Sequence, residues 1–222
     1  MFYRNCIVVA VTGGIGCGQT TVCKFLEEMG AKAIQADWVA KREIESNEEI
    51  RRELVKSFGN RIFYRNGKLN RKLLAKIAFS DEAKTERLNR IVHPQMVSSI
   101  ISLIEEARES QKFSIILVDA ALIYELSLEH MFDAVVVVSS KMSQRLERIR
   151  KRDNLTNKEI MDRINKQIPI EDKIQWADFL IENNEDLETL RKNSRKLFYE
   201  LRKLARKKSQ ITRNQVRSRL LS

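Results

Sequence analysis

Long apolar runs are missing from this chain. No stretch reaches the ~18 apolar residues of a membrane span, and the longest candidates, residues 115–118 and 134–138, have the length of strands. The three cysteines, Cys6, Cys17 and Cys23, form no C-x-x-C pair, and only two histidines could complete a metal site, which argues against structural zinc or a disulfide framework. Two prolines, Pro94 and Pro169, are too few for a linker and mark local breaks; no internal repeat or low-complexity segment is present. The first residues lack the basic flank, long apolar stretch and small-residue cleavage site of a signal peptide, so the expected location is the cytoplasm. Acidic residues are scarce in one region only. Residues 191–222 carry twelve Lys or Arg and a single acid, Glu200, whereas residues 1–190 hold 29 basic and 29 acidic groups. The net charge of +11 therefore belongs to the tail, and the main body is not expected to bind nucleic acid or membrane.

What is present is a soluble-protein composition, 43% hydrophobic and 32% charged over 222 residues, enough for one substantial core. Residues 7–11 form a continuous β-branched run suited to a buried parallel strand. Residues 20–29 follow with Val22, Phe25, Leu26 and Met29 at helical spacing and Gly30 as the stop. A short extended piece, 31–36, leads into a helical stretch from Asp37 to about Ser57. Residues 113–119 and 134–139 read as two further strands, with helical segments between and after them. Strands alternating with helices predict an α/β fold with a parallel sheet and ligands at the carboxyl ends of its strands. Residues 58–108 read as mostly helical with a turn at 65–67, either a cover over a site or extra packing on the sheet. In the tail, Leu190, Leu197, Leu201 and Leu204 provide an apolar face. That face fits a terminal helix packed on the core, and its basic side leaves open a surface for nucleic acid or acidic lipid.

Four of the seven glycines, Gly13, Gly14, Gly16 and Gly18, fall within six residues between the first strand and the first helix. Such a loop turns successive backbone N–H groups toward phosphate oxygens, and the helix start adds its partial positive charge. The P-loop signature G-x-x-x-x-G-K-[ST] reads here as Gly13-Gly14-Ile15-Gly16-Cys17-Gly18-Gln19-Thr20. Thr20 stands where the Mg²⁺ ligand belongs. Gln19 replaces the lysine, so hydrogen bonding to phosphate is retained while the point charge is lost. Cys17 is either a small residue that fits the loop or an oxidisable thiol near a helix N-terminus.

Phosphoryl transfer needs a group that takes or orients the acceptor proton. Asp37, at the end of the second extended piece, is the candidate, with a helix N-cap as its other reading. Asp119 ends a strand as a Walker B acid does and could hold Mg²⁺, or it could be structural. Arg145, Arg148, Arg150, Lys151 and Arg152 lie on a helix from about Ser143, with Thr156 capping the next one. Arg148 and Arg152 share a face, as a phosphate lid or as a solvated basic helix would have it, and Arg163 and Gln167 could continue that surface.

These segments together resemble the dephospho-coenzyme A kinases over nearly the whole length, to about Asn184. VAVTGGIGCGQTTV is similar to that family's opening, Ile34-Gln35-Ala36-Asp37 to its I-D-A-D, and Gly67-Lys68-Leu69-Asn70-Arg71 to its G-x-L-x-R. Leu88 to His93-Pro94 resembles L-N-x-x-x-H-P, and Asp119 to Glu125 resembles D-x-P-L-L-x-E with Ala121 for proline. Arg148 to Asp153 resembles the lid, Arg163 to Gln167 R-I-x-x-Q, and Ala177 to Asn183 A-D-x-x-I-x-N. The resemblance implies a three-layer P-loop NTPase fold: a core over residues 1–190 with a helical coenzyme A-facing insert at about 58–108 and a lid at about 143–168; the composition adds a basic helix or tail over 191–222. It implies ATP-dependent phosphorylation of the ribose 3′-hydroxyl of dephospho-coenzyme A with Mg²⁺. Asp37 and Arg148 would be catalytic. Gly14, Ile15, Gly16, Cys17, Gly18, Gln19, Thr20, Thr21, Arg148, Arg152 and Asn183 would surround ATP. Asp37, Arg71, His93, Leu122, Glu125 and Arg163 would face the acceptor, and Thr20 and Asp119 the metal. Because Gln19 departs from the family, a nucleotide-binding regulatory homologue that has lost or weakened the reaction is the alternative.

Overall fold

The computed structural model describes residues 6–153 and 155–221, with side chains as far as Ile211. The N-terminal residues 1–5 and the side chains of Arg213, Arg217 and Arg219, on which part of the tail reading falls, lie outside the described residues. The chain divides into two compact units, Met1–Gln35 with Ile104–Ser222, and Ala36–Leu103.

The first unit is built on five parallel strands: β1 (Ile7–Gly13), β2 (Lys32–Gln35), β3 (Ile115–Asp119), β4 (Ala134–Ser139) and β5 (Phe179–Glu182), in the order β2-β3-β1-β4-β5. Every residue of β1 and β4 is buried, as expected for β-branched runs covered on both faces. The helix α1 (Gln19–Glu28) and the long α9 (Leu187–Leu221) cover one face, where Val22, Phe25 and Leu26 meet Leu190, Leu197, Phe198 and Leu201 in the main core. The leucine face seen in the tail thus packs inward. On the other face Ala10, Val135 and Val137 pack with Ile123 and Tyr124.

Asp119 is placed by register. It pairs with Val11 of β1 and with Gln35 of β2, at the carboxyl edge where the glycine loop leaves β1. The order changes direction at β1, with β3 on one side and β4 on the other, which is where such sheets open a crevice for ligands. The sequence pattern does not mark β5 as a strand, because it is short, at the sheet edge, with two of its four residues exposed.

Beyond β4 come α6 (Met142–Asp153), α7 (Asn157–Asn165) and α8 (Ile170–Gln175). Thr156 caps α7 as expected. Its hydroxyl accepts from the Glu159 amide, and the Glu159 carboxylate accepts from the Thr156 amide, a reciprocal capping box.

The second unit contains α2 (Ala36–Ser46), α3 (Glu48–Phe58), α4 (Arg71–Ala78) and most of α5 (Glu82–Glu109). Its own core joins Ile50, Leu54, Phe58, Ile62, Leu69, Leu74 and Ala78. The helical stretch expected from Asp37 to about Ser57 is two helices. Asn47 interrupts it, its side chain accepting from the Glu49 and Ile50 amides as an N-cap. The turn at 65–67 is present, with the Gly67 amide donating to the Tyr64 carbonyl at 2.9 Å. Pro94 makes no break: it lies inside α5. Pro169 does stand at a boundary, as the N-cap of α8.

Candidate active site

The loop from Gly13 to Gly18 is held from outside by side chains of later elements. Gly13 must lack a side chain because β4 runs close beside it: a Cβ there would stand 2.2 Å from the Val138 carbonyl oxygen. Gly18 is left-handed, with φ of 100°, and a Cβ there would also meet Asn183 Nδ2 at 2.5 Å. Asn183, just after β5, donates from Nδ2 to the Cys17 carbonyl at 2.8 Å. Its contact is thus with the loop backbone. The Ile15 amide donates to Gln167 Oε1 at 2.9 Å, and the Ile15 carbonyl accepts from Arg145 Nε at 3.0 Å.

The Cys17 amide donates to Gly14, and the Thr21 amide to Gly18. Among the described residues no acceptor takes the amides of Gly16, Gly18, Gln19 or Thr20. Four donors at a helix start are the anion-binding arrangement that the glycine spacing predicts. Cys17 is fully buried and its thiol pKa is raised by burial, with Arg145 and Arg148 lowering it in part. It is held protonated, as a small packed residue.

Gln19 is half-buried, and its Nε2 donates back to the Gly14 carbonyl at 3.3 Å. The amide therefore spans the loop without carrying charge. Thr20 is exposed, and its Oγ1 donates to Asp119 Oδ2 at 2.7 Å. Loop hydroxyl and strand-end carboxylate, 99 residues apart in sequence, meet at the helix start. Two hard oxygens side by side suit Mg²⁺. Among the described residues no group of three or more His, Cys, Asp or Glu could hold an ion, so a cation here would come largely with its phosphates.

The lid arginines divide. Arg148 is turned to the loop: Nη1 donates to the Gly16 carbonyl at 3.4 Å and to Ser140 Oγ at 3.1 Å, and Nη2 to the Asn183 carbonyl at 3.1 Å. Arg152 is bidentate on Asp153, with Arg163 3.8 Å away on the same carboxylate. The hydrogen bond from Arg152, together with the two cations, holds the Asp153 pKa below its ordinary value against the upward push of burial.

After β3, Leu122 is half-buried at the start of a run of turns. Glu125 is engaged by a fully buried lysine. Lys173 Nζ lies 2.7 Å from Glu125 Oε1 and donates to the Ala121 carbonyl at 3.0 Å, and Oε1 also accepts from the Ile168 amide. Two buried oxygens here have no partner among the described residues, Glu125 Oε2 and Tyr124 Oη. Burial, with Asp178 and Glu129 adding to it, pushes the Tyr124 phenol up to about 12. Nothing in the sequence pattern pointed to Lys173, Ser140 or the placement of Arg145, because each acts through a long-range contact with no spacing signal.

Asp37, Arg71 and His93 belong to the second unit. Asp37 is the second residue of α2, inside its first turn, so the N-cap reading does not hold; its carboxylate is exposed and has no partner among the described residues. It follows Gln35, the β2 partner of Asp119, by two residues. Arg71 pairs with Glu45 at 2.6 Å. His93 is half-buried within α5 and is not a cap; burial lowers its pKa.

The profile of the family described as dephospho-CoA kinase matches residues 7–189. The dephospho-CoA kinase of Fusobacterium nucleatum is 37% identical over 185 residues, covering 83% of this chain and 93% of that protein. That of Salinibacter ruber is 34% identical over 191 residues, with 86% and 96% covered. Among solved structures, a Thermus thermophilus protein superposes with a TM-score of 0.73 at 27% identity, covering 89% of this chain and 98% of that one. Dephospho-CoA kinase from Campylobacter jejuni superposes with a TM-score of 0.59 at 26% identity, with 87% and 96% covered.

Proposed function

The chain belongs to the dephospho-CoA kinase family, and from that premise we propose that it transfers the γ-phosphoryl group of ATP to the ribose 3′-hydroxyl of dephospho-coenzyme A through the residues described above. The observation that carries the reading is the Thr20 hydroxyl on Asp119 at the carboxyl edge of the sheet, beside four amides at the loop's helix start. The amides of Gly16, Gly18, Gln19 and Thr20 donate to the phosphate oxygens. Thr20 and Asp119 hold Mg²⁺, which when bound neutralises charge on the phosphates.

The 3′-oxygen attacks the γ-phosphorus while the bond from that phosphorus to the β,γ-bridging oxygen breaks. ADP leaves, and the hydroxyl proton goes to the Asp37 carboxylate. The absence of a partner on Asp37 among the described residues supports that role: a general base must not be committed elsewhere. Arg148 orders the loop through Gly16 and Asn183, and Arg152 and Arg163 form a charged cluster able to exchange Asp153 for phosphate. Arg71, His93, Leu122 and the Oε2 of Glu125, which has no partner among the described residues, are assigned to the acceptor. A cytoplasmic site of action fits a protein whose three cysteines are all free and in which, among the described residues, no helix is long and apolar enough to cross a membrane.

Coenzyme A is the discriminating control, because its 3′-oxygen already carries phosphate. ADP release is expected with dephospho-coenzyme A and not with coenzyme A. Asp37→Asn should cut kcat by about a hundredfold or more while ADP still binds. Binding without turnover in the wild type would mark the regulatory homologue instead.

A further inference from the structure

The described residues include two cations with almost no exposure, Lys173 at 0% and Arg145 at 3%. Lys173 has its counter-ion in Glu125. Arg145 has none: among the described residues no carboxylate pairs with it, and its one side-chain hydrogen bond to protein runs from Nε to the Ile15 carbonyl. A buried guanidinium without an anion is costly, and the arrangement becomes favourable when an anion arrives beside it.

Its position is specific. A Cβ on Gly14 would stand 2.5 Å from Arg145 Nη2 and 2.8 Å from Cζ, so the guanidinium lies directly against the Cα of Gly14. Gly14 is not among the residues with positive φ, so its backbone does not demand glycine. The missing side chain there is the room that Arg145 occupies, which explains one of the extra glycines in the loop. Gln19 Nε2 donates to the carbonyl of the same Gly14. The neutral residue at the signature's lysine position and the uncompensated cation thus meet at one residue of the phosphate loop.

We propose that Arg145 supplies, from α6, the positive charge that Gln19 does not bring, so that the phosphate-stabilising charge of the loop has moved from its helix start to its outer wall. The inference rests on the kinase reading of the site. Arg145 acts here as a positioning and field-setting residue. Its charge already reaches the middle of the loop, where it acts on the Cys17 thiol more strongly than Arg148 does.

The test is calorimetric titration of the full chain with ADP and Mg²⁺, for wild type, Arg145→Gln, Gln19→Lys and the double variant. Arg145→Gln should weaken ADP binding by about tenfold or more. Adding Gln19→Lys to it should bring affinity back to within about threefold of wild type, a rescue that a merely structural role for Arg145 would not produce. Gln19→Lys alone should tighten binding by no more than about threefold, because the loop already has its cation. Unchanged affinity in Arg145→Gln, or no recovery in the double variant, overturns the proposal. If Arg145→Gln does not fold, Gln19→Lys alone decides: a gain of about tenfold or more shows that the loop lacked a cation and overturns it. Binding is read apart from turnover. A protein that behaves in this way but never phosphorylates dephospho-coenzyme A would sink the kinase reading and leave the charge exchange standing.

Discussion

Thr20 and Asp119 come together because parallel pairing of β1 with β3 sets Asp119 beside Val11, just before the loop that carries Thr20. Each residue was legible alone, the threonine from the P-loop pattern and the aspartate from its place at a strand end; the 2.7 Å hydrogen bond between them required the sheet order. Asp119→Asn keeps the shape and removes the charge, so half-maximal activity should need about tenfold more Mg²⁺ with little change in fold stability. An unchanged Mg²⁺ dependence would place the metal elsewhere. His93 yields a prediction of a different kind. Burial depresses its pKa in the folded chain, so the unfolded chain binds the proton more readily. Its contribution to stability is whole above the unfolded value of about 6.5 and is lost as pH falls below that. His93→Gln should flatten the decline in unfolding free energy as pH falls below about 6.5, measured by urea denaturation at a series of pH values. An unaltered slope would show that His93 does not titrate abnormally.

Elements with a strong local signal were readable, and those fixed by distant contacts were not. β1 and β4 are unbroken β-branched runs, and Thr156 with Glu159 spells a capping box in four residues. By contrast, β5 is a strand only because β4 offers an edge, and its exposed Leu180 and Glu182 hide the pattern. Helical spacing on both sides hides the break at Asn47, although Asn followed by two glutamates is a helix-start signal. Pro94 misled in the other direction: the rest of the 28-residue helix α5 outweighs one lost backbone hydrogen bond. The connection after β3 is pinned to α8 by the buried Lys173 and Glu125. Lys173→Met leaves that carboxylate without its counter-ion, and should lower unfolding free energy by about 3–5 kcal/mol. A loss below about 1 kcal/mol in chemical denaturation would mean the pair is dispensable.

At the scale of the whole molecule, charge and core divide along the chain. Residues 1–190 balance their acids and bases, and the excess of +11 rides on residues 191–222, which make up most of α9, whose inner face of Leu190, Leu197, Phe198 and Leu201 is part of the main core while Lys208 reaches Asp133 at 2.6 Å. The helix is therefore a structural member of the first unit, with basic residues left on its outer side. Family membership was legible from ordered segments spread over nearly the whole chain. The loop's charge balance was not, because it joins Gln19 to an arginine 126 positions later through a contact at Gly14. We propose that this loop supports phosphoryl transfer without the usual lysine. This is tested most directly by a single-turnover reaction of the wild type in excess over dephospho-coenzyme A, with ATP and Mg²⁺, the products resolved by mass and by ³¹P resonance. Coenzyme A and ADP are expected in equal amounts, with the new phosphate on the ribose 3′-oxygen. Dephospho-coenzyme A recovered unchanged beside intact ATP would contradict the proposal.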